Sequence, residues 1–186
     1  MINETTLVGR IQKGDPRACR HFVEQYQRLV FHMVSRTVPE KNDWEDICQD
    51  VFLKAFQHLD HFRFESRLST WLARIAYNTC INYVKKKRPL LHDDNPGRPP
   101  EPADNTSIRP DHHTEQQDMA RRLREEILRL PAPYRTILTL YHLEEMQYHE
   151  IAEIMNLPLG TVKNYLYRAR EKLKQQLFMK YPEEAL

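Results

Sequence analysis

Residues 148–178 read YHEIAEIMNLPLGTVKNYLYRAREKLKQQLF. Their apolar spacing predicts a short helix over Tyr148–Met155 and a long one from Gly160 to about Phe178. Ala152 is small enough to let the second helix approach the first. Asn156, four residues on, occupies the turn, where positive φ favours glycine and then asparagine. Val162 packs back on the first helix, and Leu166, Ala169, Leu173 and Leu177 continue a buried stripe. The opposite face carries Thr161, Lys163, Asn164, Tyr167 and Arg168. Donors and an aromatic at the start of a second helix are what reading base edges in a major groove requires. An ordinary helical hairpin with a charged face is the plainer reading, but the three-position fit favours a DNA-binding helix-turn-helix.

Upstream, the pattern stays helical. Apolar positions run Phe22, Tyr26, Leu29, Val30, Met33, Val34, then Trp44, Ile47, Cys48, Val51, Phe52, Ala55, Phe56, Leu59, then Leu68, Trp71, Leu72, Ile75, Ala76. Each series follows one face of a helix, and Asp43 is the expected N-cap of the second, with Asp46 three residues on. Helix 43–59 then exposes Glu45, Asp46, Gln49, Asp50 and Lys54, while the helix from Ser69 exposes Arg74, Asn78, Asn82 and a basic end at Lys85. Phe62, Phe64, Trp71, Tyr77 and Tyr83 are interleaved. Rings and amides beside a basic block suit unstacked single-stranded bases. For Trp71 a place in the core weighs nearly as much, and the ring can be packed by one edge and open by the other.

Between the halves, composition changes. Residues 89–113 hold six of the twelve prolines and almost no large apolar side chain, and residues 93–118 hold seven acids against two arginines. Residues 89–115 therefore read as an extended acidic linker, disordered on its own. This gives an all-α chain of two small helical domains, 1–88 and 116–186. The 186 residues are 40% hydrophobic and 29% charged with a net charge of +2. No apolar run nears the roughly 20 residues that span a bilayer, and Met1–Gly14 has no apolar signal core, so membrane insertion is not expected and the cytoplasm is. The near-neutral charge is uneven: Lys85–Arg88 form one basic block, and Lys163, Arg168, Arg170, Lys172 and Lys174 another, both suited to phosphate. Cys19, Cys48 and Cys80 form no CxxC pair and read as small buried thiols.

Residues 43–88, DWEDICQDVFLKAFQHLDHFRFESRLSTWLARIAYNTCINYVKKKR, resemble the promoter-melting domain of extracytoplasmic-function sigma factors. Residues 130–173, LPAPYRTILTLYHLEEMQYHEIAEIMNLPLGTVKNYLYRAREKL, resemble their −35-binding domain. The resemblance implies a subunit that brings RNA polymerase core to promoter DNA and opens it, without covalent chemistry or cofactor of its own. It implies that Asp46, Gln49 and Asp50 dock on the coiled coil of the polymerase's largest subunit, with the flap as a second contact. Lys54, Trp71 and Asn78 align with residues at the flipped base of the −10 element, and Lys163, Asn164, Tyr167 and Arg168 with the −35-reading face. It also implies a linker threading the polymerase's RNA path and an anti-sigma factor as regulator. Asn156 departs from the usual turn glycine, and Phe64 stands where many members have glycine.

Two other classes compete. In an enzyme, Asp46 and Asp50 with His58 and His61 would hold a metal, but the histidines form no HExxH-like pair, and neither a phosphate-cradling loop nor a nucleophile elbow is present. A one-component regulator would use the helix-turn-helix alone and leave the N-terminal half as a sensor.

Overall fold

The computed structural model describes residues 3–87 and 115–181. Among these there are eight α-helices and no strand: α1 Glu4–Gln12, α2 Pro16–Thr37, α3 Trp44–His58, α4 Leu68–Lys87, α5 Glu115–Arg129, α6 Ala132–Leu138, α7 Tyr148–Met155 and α8 Leu159–Lys180. The all-α class is as expected. The linker assignment lies outside the described residues, except that Glu115 already opens α5.

The N-terminal layer is organised by α2. Asp15 caps it by accepting from the Arg17 and Ala18 amides, and Pro16 fits the first turn, where no amide partner is needed. Its buried stripe, Phe22 to Val34, meets α3 and α4, with the Phe22 ring against Tyr26, Phe52 and Phe56 at 5.1–6.1 Å. Each buried large apolar side chain contributes about 1.5–3 kcal/mol. Helix α1, which the periodicity did not single out, adds Leu7, Val8 and Ile11 to this core.

Asp43 does not cap α3. Its backbone is helical and its carboxylate accepts from the Tyr83 hydroxyl and from Lys87 Nζ (2.6 Å) at the far end of α4. Two strong donors hold the carboxylate, and it makes no bond to the first amides of α3.

In the C-terminal half, Tyr134, Ile137, Leu140, Ile151, Ile154, Val162, Leu166 and Ala169 form the core. The helix expected through Tyr141 ends at Leu138 and widens into a π-type turn, Thr139–Leu143, closed by Glu144 N–H to the Thr139 carbonyl at 3.1 Å. That turn stacks the Tyr141 ring on Tyr148, 5.2 Å between centroids.

The two halves touch. Helix α4 packs on α7 and α2 on α6. The Thr37 and Thr136 hydroxyls, both buried, bond at 3.2 Å across the seam. His32 Nδ1 lies 2.6 Å from Glu144.

Candidate nucleic-acid interface

The helix-turn-helix forms as its spacing predicts. Asn156 has φ 52°, ψ 51°, its amide reaches back to Ala152 and Glu153, and Leu157 N–H bonds the Ala152 carbonyl at 3.0 Å. This left-handed closure sets the angle at which α8 leaves α7. Val162, Leu166 and Ala169 are buried, which turns Lys163, Asn164, Tyr167 and Arg168 outward, all four exposed. They occupy the N-terminal half of α8, the end whose unpaired amides favour phosphate. Lys163 Nζ stands 5.9 Å over the Tyr148 ring.

On α4, Trp71 and Asn78 are seven residues apart and share a face; Asn78 is exposed and Trp71 half-buried. The Trp71 ring packs on Phe62 at 5.2 Å, and Phe62 on Phe64 at 4.7 Å, so Trp71 has both a packed edge and an open one. Phe64 takes φ 58°, the left-handed conformation that glycine would supply at no strain. The interleaved aromatics do not act as one set. Tyr83 is held by Asp43, and Tyr77 is largely buried toward Tyr165, which keeps its hydroxyl protonated above the usual range.

Lys54 joins two of the expected sites. Its ammonium donates to Asp50 at 2.6 Å and to the Thr79 hydroxyl at 3.4 Å. Asp50 is therefore partnered, while Asp46 and Gln49 lie exposed on the same face of α3. Of the cysteines, Cys80 is buried and Cys19 and Cys48 are half-buried. Burial pushes the Cys48 thiol up to about 11 and Cys80 up to about 12, so both remain protonated and unreactive. Among the described residues no cluster of His, Cys, Asp and Glu could hold a metal.

Sequence reading left several polar groups unassigned. Buried Thr70 donates to buried Glu150 at 2.9 Å, and Arg67 and Arg74 approach Glu150 and Glu153 at 3.9 Å. Glu150 also accepts from the Gln147 amide at 2.8 Å, the capping-box bond at the start of α7. That role was legible from spacing; the contact with α4 was not. Beside the Thr37–Thr136 bond, Arg36 and Arg135 bring like charges together, each with a buried Nε lacking a partner. Burial and the facing Arg36 push the Arg135 guanidinium down to about 10. Elsewhere, an apolar groove between α5 and α8 is lined by Met119, Leu123, Leu173, Leu177 and Phe178, with Arg122 and Lys174 at its rim.

A helix-turn-helix with donors on the exposed face of its second helix, packed on a second helical unit, defines an all-helical DNA-binding protein. Residues 22–89 match the family Sigma-70 region 2, and residues 120–173 match Sigma-70, region 4. The chain is 36% identical over 182 residues to the ECF RNA polymerase sigma-E factor of Escherichia coli (strain K12), covering 95% of each chain. It is 32% identical over 176 residues to the ECF RNA polymerase sigma factor SigW of Bacillus subtilis (strain 168), covering 91% of this chain and 94% of that one. The fold is shared with the sigma factor RpoE of Bartonella quintana, solved with the anti-sigma factor NepR (TM-score 0.67, 22% identity, 85% of this chain and 95% of that one). It is shared also with CnrH, solved with the cytosolic domain of CnrY (TM-score 0.65, 20% identity, 92% and 94%). The chain belongs to the ECF sigma factors. Its function is promoter recognition and transcription initiation with RNA polymerase.

Proposed function

We propose a division of this work among particular residues. Residues 1–88 dock on core polymerase through Asp46 and Gln49, with Asp50 steering Lys54, and capture a −10 base with Lys54, Trp71 and Asn78. Residues 116–186 read the −35 duplex with Lys163, Asn164, Tyr167 and Arg168. The groove between α5 and α8 takes the polymerase flap, its apolar floor and cationic rim suiting an amphipathic helix with acidic flanks. Polymerase performs the synthesis, and this chain contributes binding and strand capture. Its working place is the cytoplasm, where core enzyme and promoters are, and no described helix is long and apolar enough to cross a membrane. One structural neighbour, RpoE of Bartonella quintana, was solved with the anti-sigma factor NepR, which supports an anti-sigma factor for this chain as well.

The observation that carries the reading is that all four −35 residues are exposed on one face of α8, behind a left-handed turn at Asn156. Flipping a base costs a few kcal/mol of stacking, which contacts to the captured base offset. The test is in vitro transcription with core enzyme and a pooled promoter library, followed by permanganate probing of Asn78→Ala. Selective transcription by wild type is expected, with lost thymine reactivity near −10 and an intact −35 footprint in the variant. Loss of both signals together would assign Asn78 to folding instead.

A further inference from the structure

Three arginines converge where α2, α5 and α6 meet. Arg36 stands in the last turn of α2, and Arg135 lies on α6. Their neighbours Thr37 and Thr136 join the two helices through the buried bond of 3.2 Å, which holds both arginines at one crossing. Arg135 Nη1 donates to the Leu128 carbonyl at 2.6 Å and so ties the crossing to α5, where Arg124 lies one turn before Leu128. The charges feel one another. Burial and then Arg124 push the Arg36 guanidinium below its ordinary range, as burial and then Arg36 do to Arg135.

The crossing offers donors and no acid. Among the described residues, Arg36 and Arg124 make neither a hydrogen bond nor an ion pair, and Arg135 has the Leu128 carbonyl alone. The Nε atoms of Arg36 and Arg135 are buried without a partner, whereas the terminal nitrogens of Arg36, also unbonded, stay within reach of solvent. Ordinary structural duties do not account for this. A cation suits the carbonyl end of α2, and Arg135 holds Leu128, but neither duty requires that the guanidiniums meet. Buried polar groups are as a rule bonded, and an unpaired one is a place where an ion belongs. A small oxyanion supplies what the crossing lacks: several acceptor oxygens matched to the guanidinium fork, and a charge that turns repulsion among the arginines into shared attraction.

We propose that Arg36, Arg124 and Arg135 form a binding site for a phosphate dianion, either free or as the terminal group of a nucleotide. A nucleic-acid backbone carries singly charged phosphates and needs a broad open surface, whereas two of these donors are sunk between packed helices. Arg36 comes from one half of the chain and Arg124 and Arg135 from the other. The site is therefore complete only while α2 rests on α6, and its occupant strengthens that packing. None of the three arginines belongs to the −10, −35 or core-docking sets, so the site stands or falls apart from those assignments.

The test uses the full chain in buffer free of phosphate and sulfate, at pH 8 and constant ionic strength, so that screening does not change along the titration. Inorganic phosphate and ATP are the two probes. Calorimetry of wild type is expected to show saturable one-to-one binding, and the thermal midpoint should rise with probe concentration. Arg36→Met should weaken binding by more than about tenfold, the loss of a hydrogen-bonded charge. Without a probe this variant should melt above wild type, because it lacks the unpaired donor, and added phosphate should erase that lead. Arg124→Gln, at an exposed position on α5, should also weaken binding and serves if Arg36→Met does not fold. Equal affinity for the two probes would assign the free anion, and tighter binding of ATP the nucleotide; either supports the site. Absence of saturable binding, or binding that both variants retain, overturns the proposal. So does displacement of bound phosphate by a short DNA duplex, which would make the crossing a nucleic-acid surface.

Discussion

Asn156 shows how one side chain governs the angle of a reading head. It holds φ 52°, which costs an ordinary L-residue about 1–2 kcal/mol. Asn156→Gly is expected to raise the unfolding free energy by up to about 1 kcal/mol, and a β-branched Asn156→Val to lower it by about 1–2 kcal/mol. Thermal unfolding followed by circular dichroism checks both, and a Val variant as stable as wild type would contradict the strained turn. Further along α8, exposed Arg168 and Lys163 should separate by role. Arg168→Ala should cost about 1–3 kcal/mol on the preferred −35 sequence and relax one position of it. Lys163→Ala should weaken all duplexes alike and reduce the salt slope by about 0.9. An unchanged preferred sequence after Arg168→Ala, measured by selection from a randomised duplex pool, would remove the arginine from readout.

Helix α4 is pinned at its C-terminal end by Asp43, which links Lys87 and Tyr83 to the start of α3. Bonds from Lys87 and then Tyr83 hold the Asp43 carboxyl below the usual carboxylate range. A depressed folded-state pKa means the stabilisation is present above the unfolded pKa and is lost as pH falls through the folded one. Asp43→Asn should therefore flatten the acid limb of the stability curve, which acid titration followed by circular dichroism measures. Amide exchange at residues 84–87 should also quicken in that variant, and unchanged exchange would show that the tie does not order the helix end. On α3, Asp46 and Gln49 are exposed, so alanine at both should shift stability by less than about 0.5 kcal/mol while weakening core binding. A titration of labelled protein with core enzyme measures the second effect, and unchanged affinity would end the docking assignment.

At the scale of the whole molecule, opposing contacts meet where the two halves pack. Thr37–Thr136, Thr70–Glu150 and His32–Glu144 favour that packing, and Arg36 facing Arg135 disfavours it. Arg36→Met retains much of the apolar stem and removes one buried Nε that has no partner. It should stabilise the chain by on the order of 1 kcal/mol, read from thermal unfolding. Thr70→Val with Glu153→Gln should act in the opposite sense and increase the radius of gyration in small-angle scattering. Equal radii for wild type and both variants would show that the seam does not control opening.

The sequence by itself determined the helices and their faces, because burial of an apolar stripe repeats with the period of the helix and the turn at Asn156 needs a residue that tolerates positive φ. It also determined which side chains of α8 point outward, since Val162, Leu166 and Ala169 must point in. The tertiary structure alone decided the partners of groups distant along the chain. It turned Asp43 from a cap into a tie to α4, ended the helix at Leu138 in a wide turn, and set Glu150 against Thr70, eighty positions away. No periodicity encodes such pairings. A hydrogen bond or ion pair is fixed by where two helices come to rest, and the pattern that buries each helix says nothing about which polar residues meet across the seam.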